Sequence, residues 1–154
     1  MLKRDEFAKD SGAWCNLNKP ELSEKEADVV VFGIPFDKGV SYRAGACEGP
    51  STLRKNTFAS TPYTEHFASF ERLNVYDAGD FMGDNRDELF EEVSAYVCDL
   101  VKNNVFFTAV GGDHSVTIPI EAGIDRALDE PFGIIHIDAH FDMCNTLNND
   151  YLSH

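Results

Sequence analysis

Basic residues are scarce in this 154-residue chain: 13 Lys and Arg stand against 27 Asp and Glu, a formal net charge of −14 at pH 7. That balance argues against a nucleic-acid backbone or an anionic membrane surface as partner and favours cations and metal ions. No stretch approaches the roughly 20 apolar residues of a membrane span, and the amino-terminal MLKRDEFAKD has no apolar signal core. A cytoplasmic location is expected. Cysteine is sparse and scattered: Cys15, Cys47, Cys98 and Cys144 form no Cys-x-x-Cys pair, which excludes a zinc knuckle and a dithiol redox motif and leaves them as reduced thiols. Internal repeats and low-complexity tracts are absent, and no Gly-x-Gly-x-x-Gly follows the first apolar run, which disfavours a dinucleotide-binding domain.

What is present reads as alternating strands and helices. A chain of this length with 43% hydrophobic residues can bury about two-thirds of its unfolded surface in one domain. Val29 to Ile34 form a β-branched run closed by Gly33 and Pro35, the pattern of a strand buried on both faces. A helix is expected after Pro50, a residue suited to the first helical position. Leu73 to Ala78 make a second candidate strand. From Arg86 to Asn103, Leu89, Phe90, Val93, Tyr96, Val97, Leu100 and Val101 recur at helical spacing, and the acidic run Asp87 to Glu92 fits the start and solvated face of that helix. Val105 to Val110, a helix near Val116 to Leu128, and a fourth strand at Phe132 to Ile137 complete the series. Such alternation implies a three-layer α/β/α fold around a parallel sheet, with ligands gathered at the strands' carboxyl ends. Residues 1–27 read as an amino-terminal extension.

Two polar clusters occupy that edge. In FGIIHIDAHFDMCN, Asp138, His140 and Asp142 alternate, so an extended backbone would point all three side chains the same way. A lone Asp or His there would be a solvated turn residue, but clustered acids at a strand mouth repel unless a cation offsets them. Carboxylate and imidazole donors suit manganese, iron or zinc, and manganese fits the carboxylate-rich set best. In VFFTAVGGDHSVT, His114 follows a strand and a glycine pair, flanked by Asp113 and Ser115. Asp113 could cap a helix or hold the His114 imidazole from behind.

GGDHS at positions 111–115 and DAHFD at 138–142 resemble two signature motifs of the ureohydrolases, the arginase and agmatinase family. VFGIPFDKGVSYRAGACEGPSTLRK is similar to the agmatinase-type segment that follows the first strand, and the resemblance covers residues 28 to 154 in family order. It implies an arginase-like fold, here a partial ureohydrolase domain truncated after the fourth expected strand. It also implies two manganese ions per complete site and hydrolysis of a linear, cationic guanidino compound to urea and an amine. Carried over residue by residue, His114 and Asp142 would bind one ion, His140 the other, and Asp138 would bridge them and serve catalysis. His154 falls where the family has a substrate-loop histidine suited to proton transfer. The complete protein is expected to be a homo-oligomer; no substrate-binding residue can be assigned.

The family's later Ser-x-Asp-x-Asp-x-x-Asp-Pro motif, which completes the metal cluster, is absent from this sequence. The isolated chain is therefore expected to be inactive, with a noncatalytic remnant, or a half-enzyme that assembles with a second chain, as the alternative. Elsewhere, Arg43 is expected to brace the loop from Asp37 to Gly49, and Cys47 and Cys144 to be ordinary thiols.

Overall fold

The computed structural model describes residues 1–40 and 42–140. Four strands, β1 (Leu2–Lys3), β2 (Val29–Ile34), β3 (Val75–Phe81) and β4 (Phe107–Gly111), form one sheet in the order β1-β3-β2-β4. Helices α1 (Ala13–Asn16), α2 (Gly49–Thr57), α3 (Arg86–Lys102) and α4 (Thr117–Ala127) join them. β2 runs parallel to both β3 and β4. The sheet is mixed rather than wholly parallel, because Leu2 and Lys3 pair antiparallel with Phe81 and Asp80 at its edge.

Alternation along β2 decides which side chains enter which layer. Val30, Phe32 and Ile34 pack with Phe81 of β3, with Leu89, Phe90, Val93, Val97 and Leu100 of α3, and with Ile120 and Ile124 of α4. Phe32, fully buried, lies against the rings of Phe81, Tyr96 and Phe107 at centroid distances of 5.2–5.8 Å between members of that group. Helix α3 matches its expected span within a residue. Its start is set by Asn85, whose side chain accepts from the N–H groups of Asp87 and Glu88, with those acids in the first turn and Lys102 in the last.

The opposite face is half polar. Val31, Val75 and Leu17 make a small apolar cluster there. Beside it Arg54 of α2 is 1% exposed and Asp77 of β3 is 0% exposed. The Arg54 guanidinium donates to both Asp77 oxygens (2.7 and 2.9 Å) and to Asp80 (2.7 Å), while Trp14 Nε1 donates to Asp77 at 2.6 Å. A Cβ on Gly33 would collide with the Asp80 carboxylate of the paired strand, so glycine is what leaves that group its place over β2. The charged cluster explains why β3 extends to Phe81, beyond the expected end at Ala78. Gly79 and Asp80, beyond the expected end, join the strand where Arg54 from another element neutralises the Asp80 carboxylate.

One strand assignment is corrected. Phe132 to Ile137 was expected to be a buried fourth strand, yet those residues lie outside the sheet, with Ile134, Ile135 and Ile137 at 57%, 91% and 93% exposure. A strand apolar on both sides is held by a paired neighbour and by layers above and below it. Among the described residues neither a strand nor a helix supplies these. No helix among the described residues is long and apolar enough to cross a membrane.

Candidate metal centre

β2 is flanked by β3 on one side and β4 on the other, so the connections leaving it and returning to β4 diverge at the carboxyl edge. This is where open α/β sheets form a crevice. The loop after β2 and the turn after β4 meet there. The Asp113 N–H donates to the Phe36 carbonyl at 2.8 Å. A Cβ on Gly112 would strike that same carbonyl, which makes glycine a steric requirement at this crossing.

Asp113, only 5% exposed, ties the two loops together. One carboxylate oxygen accepts from the Gly39 N–H at 2.7 Å, and the other accepts from the N–H and hydroxyl of Ser115. The same side chain therefore caps the short helical turn His114–Val116 and anchors the loop after β2 to it. These bonds act on the backbone that carries His114.

Opposite His114 stands Asp138. One of its oxygens lies 3.7 Å from His114 Nδ1, and the other lies 3.4 Å from His140 Nδ1. The His140 backbone N–H donates to Asp138 at 2.8 Å. That bond first, and then the neighbouring imidazoles of His114, His136 and His140, hold the Asp138 carboxyl below the usual carboxylate range. It is thus an anionic donor at neutral pH.

The structure adds a residue that the motif reading passed over. His136 approaches the same point, its ring centroid 5.1 Å from that of His114, and the donor atoms of His114, His136 and Asp138 all lie within 4.8 Å of one another. The signal was present in the sequence: the alternation through Asp138, His140 and Asp142 continues one step back to His136. Two imidazole nitrogens and a carboxylate oxygen are a donor set that fits a divalent transition ion. A hollow of about 170 Å³, lined by His114, Thr117, Glu121, Ile134, His136 and Asp138 among others, gives solvent and small solutes access.

Asp142, His154 and Cys144 lie outside the described residues. The loop after β2 is braced from within. Asp37 accepts from the Gly45 N–H at 2.7 Å and from the Cys47 N–H at 3.5 Å, and the Arg43 guanidinium lies 5.2 Å from the Tyr42 ring centroid. The Gly45 bond holds the Asp37 carboxyl down, while hydrogen bonding to Asp37 pushes the Cys47 thiol up. A second hollow of about 380 Å³, lined by Phe36, Asp37, Cys47, Met82 and Asp84 among others, opens at the ends of β2 and β3.

Residues 27–154 match the model of the arginase family. An agmatinase of Bacillus anthracis is 31% identical over 140 residues, which is 88% of this chain and 48% of that protein. One from Klebsiella pneumoniae is 36% identical over 129 residues, covering 77% and 40% respectively. Among solved structures, the Trypanosoma cruzi formiminoglutamase with Mn2+ aligns with a TM-score of 0.80 at 27% identity, over 94% of this chain and 50% of that one. The agmatine ureohydrolase of Thermoplasma volcanium aligns with a TM-score of 0.75 at 26% identity, over 88% and 45%. The chain spans about half the length of the curated relatives it matches.

Proposed function

Because the chain belongs to the arginase family, we propose that residues 28–154 are part of a manganese-dependent ureohydrolase domain that converts a linear guanidino compound of the agmatine type to urea and an amine. The observation that carries this reading is the convergence of His114 and His140 on the two oxygens of Asp138 at 3.7 and 3.4 Å. These are three of the four residues that the family motifs mark as ligands, and Asp142 would be the fourth.

Manganese, when bound, would supply a water acidic enough to act as nucleophile near neutral pH. The chain's own residues do the rest. His114, Asp138 and His140 would hold the ion, with Asp138 already ionised and so carrying no proton to displace. Asp113 would fix the His114 turn against the loop after β2, holding two walls of the crevice at constant separation. The net charge of −14 favours arrival of a cationic guanidinium. His154 would take part in proton transfer, and the complete protein would be a homo-oligomer.

Calorimetric titration of the 154-residue chain with Mn2+ tests the ligand assignment. Asp138→Ala is expected to weaken binding by more than about tenfold, a loss already typical of disturbing a ligand's outer partners. Equal affinity in the variant would sink the reading. A urea-release assay with agmatine should show no turnover by the chain alone; robust turnover would mean that the ligands present suffice.

A second reading, a half-enzyme that assembles with another chain, is favoured by the exposure of Ile134, Ile135 and Ile137. Contiguous apolar surface of this kind marks interaction sites. Light scattering of the chain mixed with a second chain that carries the later family motif would show no complex if that reading is wrong.

A further inference from the structure

The other end of the sheet carries a recess of its own. A hollow of about 520 Å³ is lined by Asn16, Leu17, Ser60, Pro62, Tyr63 and Glu71 among others. Leu17 lies beside Val75, the first residue of β3, whose N–H donates to the Leu17 carbonyl at 3.0 Å. The recess therefore opens at the amino edge of the sheet, whereas the candidate metal centre stands at the carboxyl edge. We propose that this recess binds a small aliphatic ammonium ion, with the Glu71 carboxylate and the Tyr63 ring taking the charged head and Leu17 and Pro62 flanking the carbon chain. The proposal does not rest on the metal-centre reading.

Both walls are built by the fold itself. One is the turn of Trp14, Cys15 and Asn16, whose φ angles of 52, 60 and 63° are left-handed, a backbone that residues other than glycine rarely adopt in succession. Two side chains hold it: Trp14 Nε1 donates to Asp77 at 2.6 Å, and Asn16 Nδ2 donates to the Ser60 carbonyl at 2.9 Å. The other wall is a short hairpin. Its Phe70 N–H donates to the Pro62 carbonyl at 2.8 Å and its Thr64 N–H to the Ala68 carbonyl at 3.0 Å, with Tyr63 opposite Ser69. That pairing brings Tyr63 and Glu71 together, and the Tyr63 hydroxyl donates to Glu71 Oε1 at 3.2 Å. A recess already shaped in this way spends little binding energy on ordering its walls.

The chemistry of the lining selects the ligand. No Lys, Arg or His lines the hollow, and Glu71 has no cationic partner among the described residues. Two side-chain donors are engaged internally, that of Asn16 by Ser60 and that of Tyr63 by Glu71. The second Glu71 oxygen is left as an acceptor. The matching ligand carries positive charge and donates without needing to accept, as an ammonium group does with its three N–H bonds. Its charge also suits the face of an aromatic ring, and the Tyr63 ring is within reach of solvent at 47% exposure. A guanidinium fork fits less well, because it pairs best with two carboxylate oxygens and one of Glu71's already accepts from Tyr63. The volume falls within the roughly 300–1,000 Å³ usual for small-molecule sites.

Amide NMR of the 154-residue chain, titrated separately at pH 7 with n-butylammonium, n-butanol and n-propylguanidinium, tests the proposal. The expected result is saturable shifts with n-butylammonium at the amides of Asn16, Ser60, Tyr63 and Glu71, and weaker binding of the other two probes. Glu71→Gln, which keeps size and an acceptor for Tyr63, should weaken n-butylammonium binding about fivefold, the upper end for a solvent-facing ion pair. Tyr63→Phe, which keeps the ring and releases the carboxylate oxygen, should retain binding, and Tyr63→Ala should weaken it. Shifts confined to the Gly39 and Ser115 amides would place the probe at the carboxyl edge and overturn the proposal. Equal binding of n-butanol, or wild-type affinity in Glu71→Gln, would overturn it as well, since the hollow would then select for apolar bulk alone. None of these results alters the expected response of Asp138→Ala to Mn2+, so the two readings fail separately.

Discussion

Replacing Arg54 with methionine would remove the guanidinium from a charged cluster that holds α2 on the second face of the sheet. The guanidinium makes three charge-assisted bonds at 2.7–2.9 Å, two to a carboxylate with no exposed surface. Methionine refills much of the volume but leaves two carboxylates facing an apolar side chain. Breaking a buried pair by removing one partner costs about 3–5 kcal/mol, a large share of the roughly 5–15 kcal/mol that stabilises a domain. At a typical urea dependence this moves the midpoint down by about 2 M. The sign of the pH dependence follows from Asp80. Burial already pushes its carboxyl above the usual range, against the pull of Arg54. Without Arg54 the folded pKa rises further, so between the unfolded and folded pKa values the native state binds more protons than the unfolded one. Stability is then greatest at or below the unfolded value, near 4, and is lost as pH rises through the folded value. Urea melts at pH 4.5 and 7 can be followed through Trp14, the sole tryptophan, whose indole donates to Asp77. Arg54→Met should be closer to wild type at pH 4.5 than at 7, and Arg54→Lys should fall between, since an ammonium cannot reproduce the planar fork. A loss below about 1 kcal/mol at pH 7, with the same pH profile as wild type, would refute the claim that this cluster fastens the second layer.

Three further outcomes are expected. Asp113→Ala removes a helix cap and a loop tie together, so a loss of about 1–3 kcal/mol is expected, with faster hydrogen exchange at the Gly39 and Ser115 amides that the carboxylate now accepts from. Unchanged exchange at Gly39 would show that the loop after β2 does not depend on Asp113. Phe32→Ala empties the centre of the aromatic cluster and should cost about 3–5 kcal/mol in denaturant titrations, the usual range for a buried phenylalanine. The Cys47 thiol, pushed up by Asp37, should alkylate more slowly at pH 7.5 than a free-cysteine peptide, and Asp37→Asn should speed it. A faster rate in the wild type would contradict the Asp37–Cys47 contact.

Much of the molecule is written locally. Strand β2 was legible because six consecutive residues that are mostly β-branched have few alternatives to a buried strand, and α3 because seven apolar residues at helical spacing leave one way to bury them. The candidate site was legible in part for a similar reason: Asp138 and His140 sit two residues apart, and His114 follows a glycine pair at a strand's end. Such patterns need only near neighbours in the chain.

What the sequence could not decide depends on partners far along it. Asp80 looks like a residue past the end of a strand, and belongs inside one only because Arg54, 26 residues earlier, brings the opposite charge. Leu2 and Lys3 read as part of an extension, and become an edge strand only because Phe81 and Asp80 offer them a ladder. Phe132 to Ile137 has the composition of a core strand, but composition does not supply the neighbouring strand and covering layers that a core strand requires. His136 joins Asp138 and His114 through tertiary approach, since 22 residues separate it from His114 and only the meeting of two segments at the sheet's carboxyl edge closes that gap. Periodicity is a property of a segment and can be read from it; charge compensation, strand pairing and ligand convergence are properties of two segments together, and only the folded chain decides which two meet.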